Sequence, residues 1–173
     1  FLNTLAALAP VPRAYADTIR VVAKTGDTVQ IGGSSYIFTR FMNLSSTPPP
    51  VSSGDGYVGI FARVRPASSS QEYSAALYYS PTGELISAIR SGMEAPGLPG
   101  VLFQGGSSPG ASARDGVHFL SNVTGSGVIN GRNNITYWRF GPSGLRLALR
   151  EGSLLGGLNV GAVLSSTIPQ FFD

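Results

Sequence analysis

The chain has 173 residues, no cysteine, a formal net charge of +3, and charged side chains at only 12% of positions. Disulfide stapling, thiolate catalysis and cysteine-ligated metal are excluded, and no apolar run is long enough to cross a bilayer as a helix, although the mean hydropathy is +0.14. The cations are nearly all arginine, scattered with acids among them, so nucleic acid is not expected as a partner.

At the N-terminus, FLNTLAALAPVPRAYAD reads as an apolar arm over residues 1–16. It ends in Ala14-Tyr15-Ala16, the small-x-small pattern at which a signal peptidase cuts. The chain is therefore expected to be exported and to lie outside the cell or on its surface. From there on, period-two alternation between turn signals predicts strands at 19–24, 35–42, 57–64, 73–79, 85–90, 100–104, 117–122, 134–140, 145–150 and 160–165. Ser80-Pro81-Thr82-Gly83 and Gly141-Pro142-Ser143-Gly144 are turn sequences, with proline presetting one dihedral and glycine free to take positive φ. Asn130-Gly131 is a two-residue hairpin signal. Leu145, Leu147 and Leu149 fall on alternate positions, which predicts one buried leucine face.

PTGELISAIRSG, ending at Gly92, returns as PSGLRLALREG, ending at Gly152. At the same offset of 60, Arg90 matches Arg150, Asp55-Gly56 matches Asp115-Gly116, and Tyr57-Val58-Gly59-Ile60-Phe61 precedes a similar strand, Val117-His118-Phe119-Leu120. The expected fold is all-β: antiparallel sheets built from about two and a half ~60-residue repeats, blade-like or sandwich-like, rich in turns and with little or no helix. One repeat-built domain spans 17–173, its units falling near 19–84, 85–144 and 145–173. The truncated third unit implies an open sheet edge, which proteins cap, cover or use for assembly.

RDGVHFLSNV, NITYWRFGPSGLRLALREG and SGMEAPGLPG resemble the tandem NxxGxxxAF-type repeats of exported bacterial surface proteins. Ala113-Arg114-Asp115-Gly116 takes the place of the family's turn, and Arg90 to Gly97 matches its ending, over roughly residues 19–157 in all. The resemblance implies propeller-blade-like units and carries no catalytic motif.

Gly106-Ser107-Ser108-Pro109-Gly110 fits G-x-S-x-G, but a nucleophile there needs a following helix and a histidine base. Another strand follows, so a loop is expected. His118, the single histidine, lies within a strand without a carboxylate at metal-binding spacing, and is read as structural. Asp27, Asp55 and Asp115 are read as turn residues that bond the backbone. Asn43, Asn122 and Asn134 head glycosylation sequons of the kind that arise by chance in Ser-rich chains. No catalytic residue, cofactor or metal is expected. Tyr78-Tyr79 and Tyr137-Trp138 place one ring on each face of a strand, so one of each pair is expected in the core and the other against a neighbour or a sugar. The expected contact residues are Leu5, Leu8, Tyr78, Tyr137 and Trp138.

The resulting expectation is a non-enzymatic structural subunit of an extracellular filament or layer, joined through open sheet edges and an N-terminal donor strand. Its partners would be copies of itself or other surface proteins, with glycans as a further partner. The alternative is a carbohydrate- or ligand-binding module of a larger exported protein.

Overall fold

The computed structural model describes residues 21–41, 51–53, 56–112, 116–141 and 144–153, apart from the side chains of 51–52 and 106–112. In chain order the strands are β1 Thr28–Ile31, β2 Ser34–Phe41, β3 Val51–Ser52, β4 Val58–Pro66, β5 Tyr73–Tyr79, β6 Leu85–Arg90, β7 Val101–Ser112, β8 Gly116–Gly125, β9 Ile135–Gly141 and β10 Gly144–Arg150. No helix occurs among the described residues, so the chain is all-β.

Turn chemistry sets the hairpins. Between β5 and β6, Gly83 takes a φ of 84°, and Ser80 N donates to Glu84 O at 2.8 Å. Gly144 does the same for β9 and β10, at a φ of 92°. Asn130-Gly131 does not make a two-residue hairpin. It sits within a longer β8–β9 connection tied by side chains, Ile129 N donating to Asn133 Oδ1 at 2.7 Å and Asn133 Nδ2 donating to Gly127 O at 3.0 Å.

The antiparallel strands form two sheets, ordered β1-β2-β4-β5-β6 with β3 beside β4, and β10-β9-β8-β7. Each therefore contains a four-stranded meander, β2-β4-β5-β6 in the first and β7-β8-β9-β10 in the second. The sheets divide the chain at residues 91–100, after β6, where the sequence units part the β5–β6 hairpin. The strand expected at 19–24 does not form over 21–24. Lys24 to Asp27 is a turn closed from both sides, Asp27 N donating to Lys24 O and Lys24 N donating to Asp27 Oδ2 at 3.0 Å. This is the turn role expected of Asp27, and β1 begins only after it. The strand expected at 160–165 lies outside the described residues.

The first sheet curls until β1 lies against β6, making a nearly closed barrel. Val29, Ile31, Phe38, Val64 and Leu77 are among the side chains that fill its interior. Arg90 clasps the seam: its Nε donates to Tyr36 Oη at 2.6 Å, and its guanidinium lies 4.5 Å from the centre of the Tyr73 ring.

The other face of β4, β5 and β6 packs on the second sheet. Phe61, Ala76, Tyr78 and Ile89 meet Val117, Phe119, Val123, Trp138 and Phe140. Tyr78 stacks on Tyr57 and on Phe140, each at 5.2 Å between ring centres, and Phe119 meets Phe61 edge-on at 5.6 Å. Both Tyr78 and Tyr79 are buried, because β5 is covered on both faces.

The positions that meet across this core are equivalent in the repeat. Tyr57 and Val117, Ala76 and Thr136, and Tyr78 and Trp138 are each related by the offset of 60 and lie on the same face of their meanders. Two like units thus bury the same face against each other, an arrangement that closes on itself. Propeller blades stack in series around a central channel instead, so this packing is sandwich-like.

Candidate interaction surface

What remains is the outer face of the second sheet. Its residues are the repeat equivalents of the barrel interior. Ile60, Ala62, Val64, Leu77 and Tyr79 are all buried in the first unit. At the same positions the second unit carries Leu120, Asn122, Thr124, Tyr137 and Arg139. The centre stays apolar or aromatic and the margin turns polar.

Cross-strand register assembles the surface. His118 pairs with Arg139, and Arg139 pairs with Arg146 on the far side. Directly opposed residues share a face, so His118, Arg139 and Arg146 form one row across three strands. In the adjacent row Leu120 pairs with Tyr137, and Tyr137 with Leu149. The His118 and Tyr137 rings lie 5.3 Å apart, tilted at 42°. Arg139 and Arg146 are exposed, Tyr137 is half-buried and Leu120 is only 5% exposed. Toward β7, Leu102 pairs with Thr124 and is 37% exposed. Beyond Leu102 the exposed Glu94 bridges to it at the β7 margin, and its Oε1 accepts a hydrogen bond from Gly100 N at 2.7 Å.

Leu149 reaches the face through an irregularity. The register shifts between Leu147 and Leu149, after which Leu149 pairs with Tyr137 and Arg150 with Thr136. Leu145 and Leu147 remain in the inter-sheet core, so the expected face of three leucines is broken by a bulge. Arg150, turned inward, donates from Nε to Asn133 O at 2.8 Å.

Beneath the surface a buried polar chain holds β7, β8 and β9 together. Trp138 Nε1 donates to Thr136 Oγ1 at 2.7 Å, Thr136 Oγ1 donates to Ser121 O at 2.8 Å, and Ser121 Oγ donates to Gly105 O at 2.6 Å. This chain satisfies the indole of a fully buried tryptophan.

Of the expected contact residues, Leu5 and Leu8 lie outside the described residues. Tyr78 and Trp138 are both 0% exposed and belong to the inter-sheet core, which leaves them no surface to offer. Of the three expected aromatics, Tyr137 alone keeps part of its side chain exposed. Sequence reasoning passed over Arg139, Arg146 and Leu120, yet one signal was available: Leu77 becomes Tyr137 and Tyr79 becomes Arg139 at the offset of 60.

The G-x-S-x-G stretch is not a loop. It runs within β7, and the strand continues to Ser112 where a nucleophile elbow would turn into a helix. A register shift between Ser107 and Gly110 accommodates Pro109 on this margin strand. No group of His, Asp and Glu suited to a metal ion occurs among the described residues.

The chain matches the model of a family of unknown function, DUF7453, over residues 10–168. It belongs to that family. No curated protein and no solved structure matches it. Membership spans both sheets and assigns no reaction to either.

Proposed function

We propose that this protein is a non-enzymatic structural subunit of an exported, cell-surface or extracellular assembly. It works by contact, through the outer face and margins of its second sheet. One observation carries this reading. Equivalent faces of two like units have diverged, one filled with apolar side chains and sealed by its own barrel, the other given an aromatic centre with an arginine margin. Arginine and tyrosine are the residues enriched where proteins meet partners. The low charge of the whole chain, 12%, agrees with a surface covered in use. In this reading the apolar segment over residues 1–16, with Leu5 and Leu8, donates a strand to a sheet margin of the next copy.

Sedimentation velocity with negative-stain microscopy tests the proposal. The full chain should give species well above 18.0 kDa that grow with concentration, and its unfolding midpoint should rise with concentration. A monodisperse monomer at every concentration, with an invariant midpoint, refutes it.

A further inference from the structure

We infer that two copies of this chain exchange their second sheets, each laying β7 to β10 on the first sheet of the other. This goes beyond the outer-face reading, because the contact between copies is the inter-sheet core itself. The two sheets differ in what each can bury alone. The first fills its barrel with its own side chains, Val29, Phe38, Val64 and Leu77 among them. In the second, every buried apolar side chain among the described residues except Leu120 lies in the core shared with the first. Its apolar face therefore needs a first sheet, and the first sheet of another copy offers the same contacts.

Connectivity permits the exchange. Among the described residues the chain passes from one sheet to the other only once, through residues 91–100. That linker is doubled back on itself: Glu94 bridges to Leu102 across its ends, Ala95 N donates to Val101 O at 2.7 Å and Leu98 N donates to Ala95 O at 3.0 Å. Straightened, residues 95–101 reach about 25 Å, against about 10 Å between packed sheets. Pro96 and Pro99 favour extended backbone at Ala95 and Leu98, the residues before them, which suits the straightened form. Opening costs the linker's turn bonds and the burial of Ala95, whereas the contacts of the inter-sheet core are all made again. Concentration then sets the balance, a tenfold rise in free monomer increasing dimer over monomer about tenfold.

The chain has no cysteine, so exchange can be trapped covalently. A Cβ added at Gly105 of β7 would stand 3.9 Å from Ser74 Cβ of β5, within the span of a disulfide. Full chains carrying Ser74→Cys and full chains carrying Gly105→Cys are mixed, opened in urea, returned to buffer at low or high protein concentration, oxidised, and resolved on a non-reducing gel and by mass. A covalent pair holding one chain of each kind is expected, more abundant by about the ratio of the two concentrations while monomer predominates. Neither chain oxidised alone should give such a pair. Absence of the mixed pair at every concentration, or as much pairing by either chain alone as in the mixture, overturns the inference. Should either variant fail to fold, Gly59→Cys mixed with Val117→Cys decides by the same gel, since the Cβ position of Gly59 lies 3.2 Å from Val117 Cβ. Sedimentation velocity on the parent chain separates the two readings. Species above 18.0 kDa without the mixed disulfide defeat this inference alone. A mixed disulfide confined to a closed dimer, with nothing larger at any concentration, defeats the outer-face reading alone.

Discussion

Gly59 of the first sheet lies directly against Val117 of the second. An added Cβ there would stand 3.2 Å from both Val117 Cβ and Val117 Cγ2, and nearer still to Cγ1. Gly59 does not hold a positive φ, so alanine suits its backbone and the effect of Gly59→Ala is steric. Val117 is 0% exposed and cannot retreat, and valine is stiff about χ1. Overpacking of this kind costs about 1–3 kcal/mol, against which alanine recovers roughly 0.5 kcal/mol of chain entropy. The net expectation is a loss of about 0.5–2.5 kcal/mol. Val117→Ala alone should cost about 1–3 kcal/mol through lost burial and the cavity left behind. Combined, the two should be less damaging than their sum by about 1 kcal/mol or more, since the smaller side chain admits the new methyl. Urea unfolding followed by the emission of Trp138, the single tryptophan, measures all four proteins. A Gly59→Ala protein as stable as the parent, or strictly additive effects, would refute the argument that these sheets meet at Gly59 and Val117.

Further expectations concern buried polar groups. Burial, and secondarily the negative charge of Asp27, raise the Tyr79 phenol above 10.0. Because its folded value lies above its unfolded one, the stability it contributes is complete below about pH 10 and is lost as pH climbs through the folded value. Urea midpoints should therefore fall in that alkaline range, and less steeply in Tyr79→Phe. Identical declines in the two proteins would contradict the assignment. Thr136→Val keeps the shape of the side chain but strands the indole N–H of Trp138, so it should cost about 1–3 kcal/mol in the same urea assay. A neutral result would show that the Trp138, Thr136, Ser121 chain contributes little.

Much of the fold was legible because alternation and turn residues were strong at the same places. Tyr73–Tyr79 and Leu85–Arg90 form strands at the expected bounds, joined through Gly83 as the Pro81–Gly83 sequence suggests. The offset of 60 corresponds to paired meanders, β4-β5-β6 and β8-β9-β10. Three things were not legible. Val21-Val22-Ala23 is apolar and β-branched like a strand but pairs with none, while the short β1 after Asp27 does. The bulge after Leu147 turns Leu149 outward, which no alternation reveals. Which faces would meet is a tertiary matter, although the answer was latent in comparing the units. Tyr78 and Trp138 are both bulky because both enter one core, whereas Leu77 and Tyr137 differ because one is sealed and the other is not. Reading aromatic pairs one strand at a time put Tyr78 and Trp138 among the contact residues; reading them against their repeat equivalents points to Tyr137 and Arg139.

Because the chain has no cysteine, a single engineered disulfide can show which faces of the two units meet. With the Cβ position of Gly59 3.2 Å from Val117 Cβ, close to the separation a disulfide requires, Gly59→Cys/Val117→Cys should oxidise to an intramolecular bond visible by mass and by mobility on a non-reducing gel. Ile60→Cys/Val117→Cys uses the neighbouring residue, whose side chain points into the barrel, and should stay reduced. Cross-linking of the second pair in preference to the first would mean that opposite faces meet as in a run of propeller blades, and the account given for the outer face of the second sheet would fall with it.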